Sequence, residues 1–320
     1  MLHYSNYFKI AHGNFGDDLN PWLWSRLAPE VCDDKDPTLF LGIGTILSRQ
    51  VPKSPVKVVF GSGCGSNRPP EELDGKWFFY AVRGPLTAAK LKLDAALAVG
   101  DPAILVRTVG VAAARKVFPV SFMPHHQSMR EAPWERLCER AGFHCINPCD
   151  TVDQVLREIQ QTEVLLTEAM HGAIVADALR VAWIPIRIYS RFMEFKWKDW
   201  TQAAQVPLRI ADVPPVFSRN LISPKGLLHA SKKTLALAGI GKEKWKRLPI
   251  RSSSEGEISD SLCALEKALK EGTPCLSPEE VIRQAEARLL EKLAQLREDW
   301  KAGLFAQGAP KAEPSAVVKR

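Results

Sequence analysis

Val164-Leu165-Leu166-Thr167-Glu168-Ala169-Met170-His171-Gly172-Ala173-Ile174-Val175-Ala176-Asp177-Ala178-Leu179 is followed, over residues 180–188, by a second apolar run that carries Pro185. The first run stops at Glu168. A segment of small and apolar residues opens near His171. This order reads as strand, tight turn, helix, strand, a βαβ unit. In such a unit ligands meet the carboxyl end of the strand and the amino end of the helix, where backbone N–H groups lack intrahelical partners. His171 sits at that junction and is the expected centre of a site.

Working outward, the alternation recurs. An apolar run at 117–123 exits at Pro124-His125-His126-Gln127-Ser128, a helix is predicted over 134–141 and a strand over 143–146. Thr151-Val152-Asp153-Gln154 is a capping box that opens a helix over 152–161. Nearer the amino terminus, residues 4–11 read as a strand that runs into Gly13-Asn14-Phe15-Gly16-Asp17-Asp18-Leu19-Asn20-Pro21. There Asn20 suits a helix cap and Pro21 a first helical position. Apolar runs at 38–43 and 56–60 end in Gly42-Ile43-Gly44-Thr45 and Gly61-Ser62-Gly63-Cys64-Gly65. Glycines placed directly after strands let a ligand approach the backbone. A strand over 78–82 ends at Arg83-Gly84-Pro85, a helix follows over 86–93, and residues 97–99 lead through Gly100-Asp101-Pro102-Ala103 into a short apolar run.

Strands alternating with helices imply α/β architecture, with two parallel, doubly wound halves facing a cleft. The first half is read as residues 1–107 and the second as 108–224. Beyond 188 the periodicity weakens, through an aromatic and polar stretch and a Pro-rich crossing. A helical extension is expected over 225–305. Its clearest part starts at Ser277-Pro278-Glu279-Glu280 and repeats Val281, Ile282, Ala285, Leu289, Leu293, Leu296 and Trp300 at helical spacing, a core or partner face. Residues 306–320 read as a disordered tail.

At 46% apolar residues the chain has ample material for a core. No apolar run is long enough to span a bilayer, and no signal peptide is legible, so a cytoplasmic protein is expected. The net charge of +7 fits an anionic substrate or contact with an anionic membrane surface. No nucleic-acid-binding signature is present. Part of the excess, Lys225, Lys232, Lys233, Lys242, Lys244, Lys246 and Arg247, reads as a solvated face. The seven cysteines have no C-x-x-C pair and are read as free thiols; no metal site is expected.

Four motifs occur in one order: Gly13-Asn14-Phe15-Gly16-Asp17-Asp18, Val82-Arg83-Gly84-Pro85, Gly100-Asp101-Pro102-Ala103 and Glu168-Ala169-Met170-His171-Gly172-Ala173. Together they resemble the polysaccharide pyruvyl transferases, over about residues 1–200, and most of all the exopolysaccharide enzymes of succinoglycan type. The resemblance implies a fold like that of the glycosyltransferases with two Rossmann-like domains (GT-B-like). It implies phosphoenolpyruvate as donor substrate, no further cofactor, and a lipid-linked oligosaccharide at the inner membrane face as acceptor, which receives a cyclic ketal. Many relatives read Arg-Leu-His where this chain has Ala169-Met170-His171. The same halves and glycine exits would also serve a glycosyltransferase using a nucleotide sugar, or a non-catalytic partner in polysaccharide assembly.

Pyruvyl transfer needs a proton for the donor methylene, cations for its carboxylate and phosphate, and a base for the sugar hydroxyls. His171 is the candidate acid, and a bound dianion would favour its charged form against the helix dipole. Asp17 and Asp18 are candidates to deprotonate or orient an acceptor hydroxyl, or to cap the first helix. Arg83, at a strand exit, and Lys196, much where relatives carry a donor-binding lysine, are candidate anion clamps, with Arg187 and Arg191 as competitors. His125 is placed on the donor side. Asn14, His126 and Glu168 are placed on the acceptor side, with Glu168 equally suited to compensate a buried charge.

Overall fold

The computed structural model describes residues 2–3, 13–31, 38–53, 55–65, 68–218 and 252–305. Its strands form two sheets. In the first, β1 (Leu2–His3), β2 (Leu39–Leu41), β3 (Lys57–Phe60) and β4 (Trp77–Ala81) lie side by side in chain order. In the second, β5 (Phe118–Met123), β6 (His144–Cys145), β7 (Thr162–Thr167), β8 (Ala182–Arg187) and β9 (Ala211–Asp212) take the order β6-β5-β7-β8-β9. Every pairing is parallel. β2 and β3 are buried along their whole length, which is why, apart from Lys57 at the start of β3, their sequences are apolar runs rather than alternating patterns. The predicted strand at 4–11 and the tail at 306–320 lie outside the described residues, as do the basic positions between 225 and 247.

The helices are α1 (Phe15–Leu27), α2 (Pro85–Leu91), α3 (Trp134–Ala141), α4 (Val152–Gln161), α5 (Met170–Ala178), α6 (Glu194–Ala203), α7 (Glu255–Glu271) and α8 (Glu279–Lys301). α3 and α4 occupy their predicted spans, and the Thr151 hydroxyl accepts from Gln154 N, one half of the predicted capping box, while the Gln154 side-chain amide donates to Asp150 and Glu158. α1 starts earlier than expected. Asn14 is its cap, and Pro21 lies inside it. Pro21 has no N–H for the Asp17 carbonyl four residues back. The Asn20 side-chain amide donates to that carbonyl instead, at 3.3 Å, so the helix continues.

Three other expectations change. Residues 97–99 form no strand of their own; a 3-10 turn at Ala95–Leu97 leads to a lone bridge between Val82 and Ala98. The apolar run after Gly100 is a 3-10 helix, Pro102–Thr108, because Asp101 caps it and Pro102 is pre-set for helical entry. α6 went unpredicted because it buries Asp199 and Thr201 along with Trp197 and Trp200, which erases a simple apolar stripe. At α8 the cap is Pro278; the Ser277 hydroxyl instead donates to Asp177 Oδ2 at 2.5 Å. Of the predicted α8 face, Ile282, Leu289, Leu293 and Leu296 are buried.

A continuous core joins the two sheets. It runs from Phe15, Trp24 and Phe60 through Ile104 and Ile174 to Trp183 and Leu289. The two sheets therefore meet through α1, α4, α5 and the 3-10 helix. The helical extension ties them again. Cys275 bridges to Trp183 of the second sheet, while the Tyr80 hydroxyl of β4 donates to Asp299 of α8 at 2.5 Å. Cys64, Cys138, Cys145, Cys149, Cys263 and Cys275 are free, in keeping with the sequence reading. No helix among the described residues is long and apolar enough to cross a membrane.

Candidate functional site

In the second sheet β5 has β6 on one side and β7 on the other, so consecutive connections leave in opposite directions. A crevice opens at such a reversal, beyond the carboxyl ends of the strands. There lies a cavity of about 290 Å³. Its wall comes from the start of α1 (Asn14, Gly16, Asp17), the loop after β2 (Gly44, Thr45, Ser48, Gln50), the exit of β5 (Met123, His125), the start of α5 (Ala169, Met170, His171) and Lys196 of α6. Two helix amino termini, each a source of partial positive charge, thus converge on one space.

His171 is seated by small residues. A Cβ on Gly16 would lie 2.1 Å from His171 Nδ1, so only glycine lets the imidazole rest against α1. Gly172 plays the same part beneath α5, where a Cβ would meet Met123 Sδ at 2.5 Å. On its other edge His171 Nε2 faces Asp101 Oδ2 at 3.7 Å.

The two aspartates of α1 divide their work. Asp18 accepts from Asn14 N at 2.9 Å and closes the helix start; it is not on the cavity wall. Asp17 is on the wall and accepts from Asn14 Nδ2 at 2.7 Å. Burial raises the Asp17 carboxyl pKa, against the opposing pull of Asn14, His171 and Lys196. Lys196 donates no side-chain hydrogen bond to another described residue. Burial, with repulsion from Arg83, brings its ammonium down to about 8, while Asp17 and Glu168 work to hold the proton. His125 is driven down to about 2 by burial and then by the cations around it, so its ring is neutral at working pH. Its Nδ1 accepts from Gln127 N at 3.3 Å, which leaves the proton on Nε2.

The remaining predicted residues stand behind the wall. Arg83 is fully buried; its guanidinium donates to Asp199 Oδ2 at 3.1 Å, Thr45 Oγ1 at 2.7 Å and the Cys64 carbonyl at 2.7 Å. It braces Thr45 and lies behind the cavity wall. Arg187 is held by both oxygens of Asp212 at the surface. Arg191 lies over the Tyr189 ring and donates to Ser128 Oγ at 2.9 Å. Glu168 accepts from His125 N at 3.1 Å and from the Ser128 hydroxyl, so it holds the β5 exit in place. His126 is buried off the wall, its pKa lowered by burial to about 4. Arg83, Arg187, Arg191 and Glu168 each have a partner far away in sequence, which spacing along the chain does not reveal, whereas His126 Nδ1 has no hydrogen-bond partner among the described residues. Conversely, Thr45, Ser48, Gln50 and Asp101 carried no predicted role; for Asp101 the Asp-Pro pair after a glycine was the available signal.

Residues 10–189 match the polysaccharide pyruvyl transferase family, more than half of the chain. The chain is also 41% identical, over 211 residues, to the succinoglycan biosynthesis protein ExoV of Rhizobium meliloti (strain 1021), a stretch covering 65% of this chain and 67% of that protein. No solved structure matches. The chain belongs to the polysaccharide pyruvyl transferase family and is a transferase.

Proposed function

We propose that the enzyme moves pyruvate from phosphoenolpyruvate onto a sugar of a lipid-linked oligosaccharide, as a cyclic ketal, in the synthesis of a succinoglycan-type exopolysaccharide. The observation that carries this reading is the meeting of His171, Lys196 and Asp17 in one cavity at two helix amino termini. Lys196 and the partial positive charge of the two helix starts suit the anionic ends of the donor. His171 protonates the donor methylene carbon, and the central carbon becomes an oxocarbenium-like electrophile. One sugar hydroxyl adds to that carbon, the bond from that carbon to the phosphate oxygen breaks and phosphate departs with the proton passed on by Asp17, and the second hydroxyl closes the ketal as its proton returns to His171. Asp17, its carboxyl raised by burial, takes a hydroxyl proton in the course of the addition. Thr45, Ser48 and Gln50 offer neutral hydrogen-bonding groups on the first-half side, suited to sugar hydroxyls. A fold of GT-B type, with donor and acceptor on opposite halves, accords with the two parallel sheets.

The test is incubation of the purified enzyme with phosphoenolpyruvate and unpyruvylated lipid-linked oligosaccharide, with phosphate release and product mass as readouts. Acceptor-dependent release with a pyruvyl mass gain is expected. His171→Ala should lower turnover by about 10²- to 10⁴-fold, the usual span for a lost acid, while calorimetric binding of phosphoenolpyruvate persists. Release with nucleotide sugars, and none with phosphoenolpyruvate, would refute the proposal.

A further inference from the structure

Asp101 Oδ2 and His171 Nε2 are both buried, and neither has a hydrogen-bond partner among the described residues. Orphaned buried polar atoms are rare in folded proteins. Here the two orphans face each other at 3.7 Å. That is within ion-pair range and slightly beyond a hydrogen bond, a looseness common where catalytic contacts tighten only on binding. The other oxygen of Asp101 is already committed, accepting from Ala103 N at 3.0 Å as cap of the 3-10 helix. Asp101 is wholly buried, so its carboxylate is fixed in direction.

We infer that Asp101 is the positioning residue of the transferase: it holds the Nε2 proton of His171, leaving Nδ1, the nitrogen on the Gly16 side, to deliver a proton into the cavity. The inference rests on His171 being the acid. It accounts for a difficulty of that reading. The α5 amino terminus disfavours an imidazolium, and a carboxylate held against the far edge of the ring offsets this. Asp101 belongs to the segment that follows the first sheet and His171 to the second, so the acid is fully set only where the 3-10 helix packs on α5. The other ionisable groups around His171 are Asp17 on α1 and His125 at the β5 exit, with Lys196 of α6 on the same cavity.

The discriminating variant is Asp101→Asn. Its carbonyl can keep the cap to Ala103, while its amide places a donor where Oδ2 stood. A donor facing Nε2 selects the opposite tautomer, as happens when the orienting aspartate of a catalytic triad is amidated. The chain has seven histidines, so nitrogen-15-labelled histidine spectra can be assigned by difference with His171→Gln. The neutral His171 ring of the native enzyme should carry its proton on Nε2. In Asp101→Asn the proton should move to Nδ1. Turnover should drop by roughly 10³-fold or more, with KM for phosphoenolpyruvate little changed.

An unchanged tautomer in Asp101→Asn would overturn the inference. So would an Nδ1–H tautomer in the native enzyme, which decides the matter even if the variant does not fold. The spectra need neither donor nor acceptor. Failure of the pyruvyl-transfer reading would therefore appear only in the turnover assay, and failure of the Asp101 pairing in the spectra.

Discussion

Lys196 shows how one side chain can be tuned by its surroundings. In water its ammonium would stay mostly charged up to about pH 10. Burial beside Arg83 brings it to about 8. An anionic donor binds the charged form, so affinity for phosphoenolpyruvate should fall as pH rises through about 8. Lys196→Met should bind about 10- to 100-fold more weakly below that pH and show a flatter dependence between pH 7 and 9, measured by titration calorimetry. His125 differs in sign and use. Held neutral by its surroundings, with Nδ1 accepting from Gln127 N, it offers Nε2–H as an uncharged donor across the whole working range. Its unfolded counterpart takes up a proton below about pH 6.5, so acid favours the unfolded chain at this site by roughly 1.4 kcal/mol per pH unit. His125→Gln should therefore flatten the loss of urea stability between pH 6 and 4.

Among elements, the contact of α1 with α5 decides whether the acid is in place. Gly16 lies in the first turn of α1, with no left-handed backbone to preserve. Alanine is the better helix former there by about 1 kcal/mol. Its methyl group would nevertheless overlap the His171 ring. Gly16→Ala should thus leave the melting temperature nearly unchanged while lowering turnover by about 10²-fold, the cost of displacing a catalytic group by about 1 Å. Equal losses in both would mean that the methyl displaces α1 rather than the ring. The same pair of elements marks where sequence reading succeeded and where it stopped. The strand–turn–helix around His171 was plain from an apolar run broken at Glu168. The start of α1 was misplaced because Pro21 looks like a helix opener, and only the Asn20 amide, answering the Asp17 carbonyl, makes it tolerable inside.

At the scale of the whole molecule, a buried ion pair joins the first sheet to α6. Arg83 and Asp199 are both fully buried, and Asp199 also accepts from Thr87 N at 2.8 Å and Thr87 Oγ1 at 2.5 Å. Removing one partner leaves a buried charge uncompensated, which costs about 3–5 kcal/mol. Asp199→Ala should lose that much in urea unfolding followed by tryptophan fluorescence, far more than a surface aspartate. Because the Arg83 guanidinium also holds Thr45, any folded variant should show a raised KM for the acceptor. α8 adds a second tie, reaching Tyr80 through Asp299 and Arg107 through Glu286.

The order of apolar runs and glycine exits determined by itself that this is an α/β chain of parallel strands, and that His171 stands at a strand-to-helix junction. Those are local properties: apolar runs bury on both faces of a parallel sheet, and a helix start leaves its N–H groups free. Which charges face the cavity was decided only in three dimensions. Lys196, Asp17 and His125 reached the wall; Arg83, Arg187, Arg191 and Glu168 were drawn to partners that lie close in space but many residues away in sequence. Asp101 came to face His171 for the same reason. A buried charge goes where a compensating group exists, and that group is fixed by packing rather than by spacing along the chain.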